Sequence, residues 1–223
     1  MKVGLVYTST TPELIDLVEK EVRSQLGNKA ELISYKDPSI LADVREAGFV
    51  TSKVAAKLIS LYMDAVKEDA DAIINLCSSV GEVADCVQNV AKYIGIPIVR
   101  VDEEMCREAV RSGRKIAVMA TLPTTLEPTK NTILRVAREM GKNVELVDAL
   151  VEGAFGLNQN EFKELMAKKA KEVSGGVDVI LFAQGSMAYC EEYISDLCKK
   201  TVLSSPRFGA IALKNALVSK GSM

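Results

Sequence analysis

The chain contains no histidine. A sequence without it cannot run a Ser-His-Asp or Cys-His mechanism, and it lacks the commonest transition-metal ligand. Acid–base chemistry therefore falls to Cys, Asp, Glu, Lys or Tyr. The five cysteines, Cys77, Cys86, Cys106, Cys190 and Cys198, are odd in number and show no CxxC spacing. Neither a disulfide framework nor a structural zinc site is favoured, and no metal is expected. Charge of one sign is also missing: the formal net charge is −2, which offers no basic field to nucleic acid. No segment approaches the roughly 18 apolar residues of a membrane span. The apolar run in MKVGLVYTS is too short for a signal-peptide core. The expectation is a cytoplasmic protein with no nucleic-acid or membrane partner. Neither GxGxxG nor a Walker A motif occurs, so a dinucleotide or ATP has no signature here.

What is present is an alternation of short apolar runs with helical patterns. Strands are expected at 2–7, 30–35, 72–76, 95–99, 115–120, 143–148, 177–182 and 201–203. Between them the apolar spacing predicts helices from Pro12, at 40–47, from Thr51 or Ser52, at 80–94 and at 102–113. Further helices are expected from the Thr121–Thr125 loop to about Gly141, at 158–174, up to Cys198, and at 206–219. This order indicates an α/β architecture with parallel sheets.

The chain also repeats itself. KVGLVYTSTTPE at 2–13 echoes KIAVMATLPTTLEP from 115, and ADAIINLCSSV at 70–80 echoes VDVILFAQGSM at 177–187. An aspartate stands second in each member of the latter pair. The reading is two pseudosymmetric lobes, each a parallel sheet flanked by helices, with a ligand cleft between them. Residues 1–100 plus 205–223 form the first lobe and 101–204 the second.

Cys77 follows a buried-strand pattern and precedes a helical one. That places it at the carboxyl end of a strand, where open α/β sheets bind ligands. A helix N-terminus there favours a thiolate over a thiol, and Ser78 and Ser79 are positioned to cap the helix or to donate to a carboxylate. Four such loops recur: Thr8–Thr11, Cys77–Ser79, Thr121–Thr125 and Gln184–Ser186. They carry hydroxyls, an amide and one thiol with hardly any charge, which suits a small carboxylate held by neutral donors. The other four cysteines fall in helical patterns as filler, with Cys190 nearest a site loop.

These stretches, with GIPIVRVDEEMCREAV at 95–110 and VLSSPRFGAIAL at 202–213, resemble the aspartate/glutamate/hydantoin racemase superfamily over essentially the whole chain. The resemblance implies two α/β lobes, no cofactor and a homodimer. In the racemases a cysteine from each lobe flanks the substrate α-carbon; one thiolate removes the proton and the other thiol returns it. By resemblance Cys77 inherits the acid/base role. Thr8, Ser9, Ser78, Ser79, Thr121, Thr124, Thr125, Gln184, Gly185 and Ser186 are the expected substrate-binding residues. The second cysteine should fall at Ala183 or Gln184, and neither transfers a proton. The expected activity is a cofactor-independent, racemase-type isomerase acting α to the carboxylate of a small amino acid or related acid. The alternatives are a single-cysteine decarboxylase or lyase of the same superfamily, and a non-catalytic small-molecule binding protein.

Overall fold

The computed structural model describes residues 1–222 and divides into two compact units. One is Met1–Val101 joined by the chain from Pro206 onward; the other is Asp102–Ser205. The first unit runs β1 (Lys2–Tyr7), α1 (Pro12–Leu26), β2 (Glu31–Lys36), α2 (Pro38–Ala47), α3 (Ser52–Lys67) and β3 (Ala72–Asn75). A 3-10 turn (Ser78–Val80) then leads to α4 (Gly81–Cys86), α5 (Gln88–Ile94) and β4 (Ile98–Arg100). The second unit runs α6 (Glu103–Ser112), β5 (Lys115–Ala120), α7 (Pro123–Glu139), β6 (Glu145–Leu150), α8 (Gln159–Ser174) and β7 (Val179–Phe182). It continues through a 3-10 turn (Gly185–Cys190), α9 (Glu191–Cys198) and β8 (Thr201–Ser204), and α10 (Ser205–Lys220) carries the chain back into the first unit.

Each unit holds one four-stranded parallel sheet, ordered β2-β1-β3-β4 and β6-β5-β7-β8. Both faces of the first sheet are covered, as parallel sheets require. Val3, Leu5 and Tyr7 pack on one face with α1 and α10, through Val18, Val22, Leu213 and Leu217. Val6 and Ile73 pack on the other with Leu58 and Tyr62 of α3 and Ala84 of α4. In the second unit Met119, Ile180 and Phe182 meet Met166 and Ala170 of α8 and Ile194 of α9, while α6 and α7 pack together, α6 against β7 and β8 and α7 against β5 and β6. Helix starts follow local sequence: the side chains of Thr11, Thr51 and Asn158 accept backbone N–H bonds of α1, α3 and α8.

The repeated aspartates have a shared structural role. Asp71 accepts a hydrogen bond from the Lys2 N–H at 2.8 Å, and Asp178 accepts from the Arg114 and Lys115 N–H groups at 2.9 and 2.8 Å. Each ties the third strand of its sheet in sequence to the first. These backbone donors hold the Asp178 carboxyl below the ordinary aspartate range.

Several expected boundaries move. The single helix over 80–94 is instead a 3-10 turn followed by α4 and α5, broken at Val87. There the Gln88 side-chain amide donates to the Ala84 carbonyl at 2.7 Å and the Ile98 carbonyl at 2.9 Å, so a side chain takes up a carbonyl that helical backbone would use. The strand expected at 95–99 shortens to Ile98–Arg100 because Gly95 closes α5 with left-handed φ of 70°. β6 lies two residues later than expected, its limits set by pairing of Glu145 with Lys115 and Leu150 with Ala120. Thr124 and Thr125, expected in a loop, belong to the first turn of α7, which Pro123 opens. Among the described residues, no helix is long and apolar enough to cross a membrane.

Candidate functional site

Strand register brings the first-unit candidates together. β1 and β3 are parallel neighbours with Val6 opposite Asn75, and the Leu76 N–H donates to the Val6 carbonyl at 2.9 Å. Two residues beyond that pair, Thr8 and Cys77 leave the sheet side by side at its carboxyl edge. Cys77 keeps an extended backbone (φ −133°, ψ 113°) and then the chain tightens into the Ser78–Val80 turn. Its side chain packs on the core face that carries Val6 and Tyr62 while remaining partly accessible.

Burial pushes the Cys77 thiol above its ordinary range. Four groups pull the other way: the Thr8 hydroxyl, the backbone N–H groups of Ser79 and Val80, and the Ser79 hydroxyl. The donors expected from a helix start are therefore present, but burial outweighs them, and the resting group is a protonated thiol. The Thr8 hydroxyl is buried without a well-formed protein hydrogen bond. It lies near enough to favour the sulfur's charge, but not in good hydrogen-bond geometry. Neither serine caps a helix: no side chain caps the 3-10 turn or α4, and both are buried. Ser9 is exposed in the loop before α1.

The second unit reproduces this edge with different chemistry. Met119 is opposite Phe182, and the Ala183 N–H donates to the Met119 carbonyl at 2.9 Å, so Thr121 and Gln184 correspond to Thr8 and Cys77. Gln184 has nearly the Cys77 backbone (φ −124°, ψ 133°) and also precedes a 3-10 turn, which holds Gly185 and Ser186. Its side-chain carbonyl accepts from the Thr121 N–H at 2.7 Å and the Thr121 hydroxyl at 3.0 Å. Thr125 is buried and its carbonyl accepts from the Thr129 hydroxyl at 2.8 Å; the Thr124 hydroxyl is buried without a partner. Cys190 is wholly buried in the second core beside Met187 and Ile194 and acts as packing. Among the described residues, no group of three or more Cys, Asp or Glu is arranged to hold a metal ion.

Sequence patterning missed the polar residues behind Cys77. Asn75, fully buried at the end of β3, donates from its side-chain amide to the Cys77 carbonyl at 3.0 Å. Arg100, at the end of β4, is opposite Asn75 and only 4% exposed. It bonds Asp85 of α4 at 2.5 Å. Tyr62 is buried on the same core face. Burial, an ionised Cys77 and Asp85 drive its hydroxyl far above the ordinary tyrosine range, against the pull of Arg100. The one available signal was a charged residue ending an otherwise apolar strand, IPIVR.

No curated protein shows significant similarity to the chain. Solved structures share its fold. A glutamate racemase isoform from Bacillus anthracis aligns with TM-score 0.75 and 16% identity, over 98% of this chain and 82% of that one. Allantoin racemase from Klebsiella pneumoniae gives 0.71 and 12%, over 99% and 89%. An aspartate racemase homologue from Pyrococcus horikoshii gives 0.64 and 19%, over 99% of both chains. At these identities the likeness is one of fold. The Asp/Glu/Hydantoin racemase family model matches residues 3–213, and the chain belongs to that family.

Proposed function

We propose that the protein is a cofactor-independent, racemase-type isomerase acting at the carbon α to a carboxylate of a small amino acid or related acid. Cys77 is the acid/base thiol. The observation that carries this reading is the partly accessible Cys77 at the carboxyl edge of β3, with the Thr8 hydroxyl and the Ser79 and Val80 N–H groups close enough to favour a charge on its sulfur. A thiol so placed can give a proton to a carbanion, and its thiolate, held by those donors, can remove one. Ser9, Ser78, Ser79, Thr121, Thr124, Thr125, Gln184, Gly185 and Ser186 are proposed as neutral contacts for the substrate's carboxylate and neighbouring polar groups. Family membership and the racemase names of the fold neighbours support the same reaction class.

Gln184 at the position corresponding to Cys77 favours a second reading within the family. A carboxamide cannot exchange a proton as a thiol does, and its oxygen is engaged by Thr121. A one-thiol decarboxylase would break the bond from Cα to the departing carboxylate, release carbon dioxide, and protonate the carbanion from the Cys77 thiol, leaving a thiolate. Proton exchange at Cα in deuterium oxide tests both readings, with amino acids, hydantoins and substituted malonates followed by NMR. Exchange with inversion that Cys77→Ala lowers by about a hundredfold or more would establish racemisation. Carbon dioxide release, or exchange with retention, would establish one-thiol chemistry. No reaction across the panel would count against both and favour a binding protein.

A further inference from the structure

We infer that Arg100 and Gly81 form a matched pair that positions Cys77, the guanidinium bracing from within the turn that carries the thiol's hydrogen-bond donors. The inference rests on Cys77 as the site thiol and adds the residues that hold it. A side chain begun at position 81 would place its Cβ 2.4 Å from Nη2 and 2.7 Å from Cζ of Arg100. The guanidinium therefore lies directly against the backbone of Gly81, four residues after Cys77. It cannot readily move away, being 4% exposed and bonded to Asp85 at 2.5 Å. Between Cys77 and Gly81 lie Ser79 and Val80, whose N–H groups favour the thiolate.

A second strut works from the same level of the sheet, where Asn75 faces Arg100 and bonds the Cys77 carbonyl at 3.0 Å. The second unit acts as an internal control. The residues corresponding to Asn75 and Arg100 are Phe182 and Ser204, beneath a loop that has Gln184 in place of a thiol. There Ser204 bonds Glu191 of α9, so the fourth strand is still tied to the helix that comes after the turn, but through a hydroxyl where the first unit has a guanidinium. The Tyr62 hydroxyl of α3 feels three groups of the first unit together: the Cys77 sulfur, the Arg100 guanidinium and the Asp85 carboxylate.

The test is a double-mutant cycle read by alkylation of Cys77 with iodoacetamide. A Cys86→Ser background removes the exposed thiol in the same stretch, and mass spectrometry follows the peptide. Gly81→Ala in the presence of Arg100 should slow Cys77 alkylation at neutral pH by about tenfold, the loss of thiolate that accompanies a one-unit rise in midpoint. Arg100→Ser should slow it comparably. In the Arg100→Ser background, Gly81→Ala should add less than about twofold, because its methyl group no longer meets the guanidinium. Arg100→Met supplies the background if the serine variant does not fold. Equal slowing by Gly81→Ala with and without Arg100 would overturn the pairing. So would a fall in thermal midpoint with Cys77 alkylation unchanged. Alkylation needs no substrate, so absent Cα exchange would count against the catalytic reading alone.

Discussion

At the scale of single residues, the balance around one sulfur decides the chemistry. Burial raises the Cys77 thiol, while Thr8, Ser79 and Val80 oppose the rise without cancelling it. The expected alkylation profile of Cys77 therefore has a midpoint above the ordinary thiol value of about 8.5. The nearby Thr8 hydroxyl favours the charged form of the sulfur. Thr8→Val removes the hydroxyl and keeps the shape, so the midpoint should move up further and the neutral-pH rate should fall. The hydroxyl has no well-formed protein hydrogen bond to lose, so little stability should go with it. Site-resolved alkylation across pH measures both effects. A midpoint below the ordinary value would mean that the donors dominate, and a Thr8→Val profile that overlays the parent would remove Thr8 from the thiol's environment.

At the scale of elements, the break between α4 and α5 depends on a single side chain. Gln88 joins the Ala84 carbonyl to the Ile98 carbonyl, fastening the segment after Cys77 to the strand that ends in Arg100. Gln88→Leu should lower unfolding free energy by about 1–3 kcal/mol, because two carbonyls lose their donor. Urea denaturation measures this, and an unchanged midpoint would show that solvent replaces both bonds. The same contact explains what the sequence could not reveal. The caps Thr11, Thr51 and Asn158 and the strands β1 and β5 were readable because their determinants are local. The α4–α5 break was not, since Gln88 finds Ile98 ten residues away, and the limits of β6 come from its pairing with β5. The site divides similarly. Cys77 and Thr8 stood out at strand ends, whereas Asn75 and Arg100 sat inside apolar runs and acquire meaning only when register sets them opposite each other.

At the scale of the whole molecule, the chain completes its first unit last. α10 returns after the second unit and, beside α1, covers one face of the first sheet. Leu213 and Leu217 are fully buried there among Val3, Leu5, Tyr7 and Ile74. The helix approaches closely, with a Cβ at Gly209 placed 2.7 Å from Val101 Cγ2, and Lys220 donates to the Asp71 carbonyl at 2.9 Å. Removing most of a buried leucine here should cost about 2–5 kcal/mol, the transfer term plus the cavity left behind. Leu213→Ala is therefore expected to lose amide protection in β1 and β3, the strands that carry Thr8 and Cys77 at their ends. Hydrogen exchange followed by mass spectrometry reads this strand by strand. If β1 and β3 kept their parent protection in the variant, α10 would be a surface addition to a sheet already stable without it. If protection fell, the edge that holds the thiol would depend on residues more than a hundred positions later in the chain.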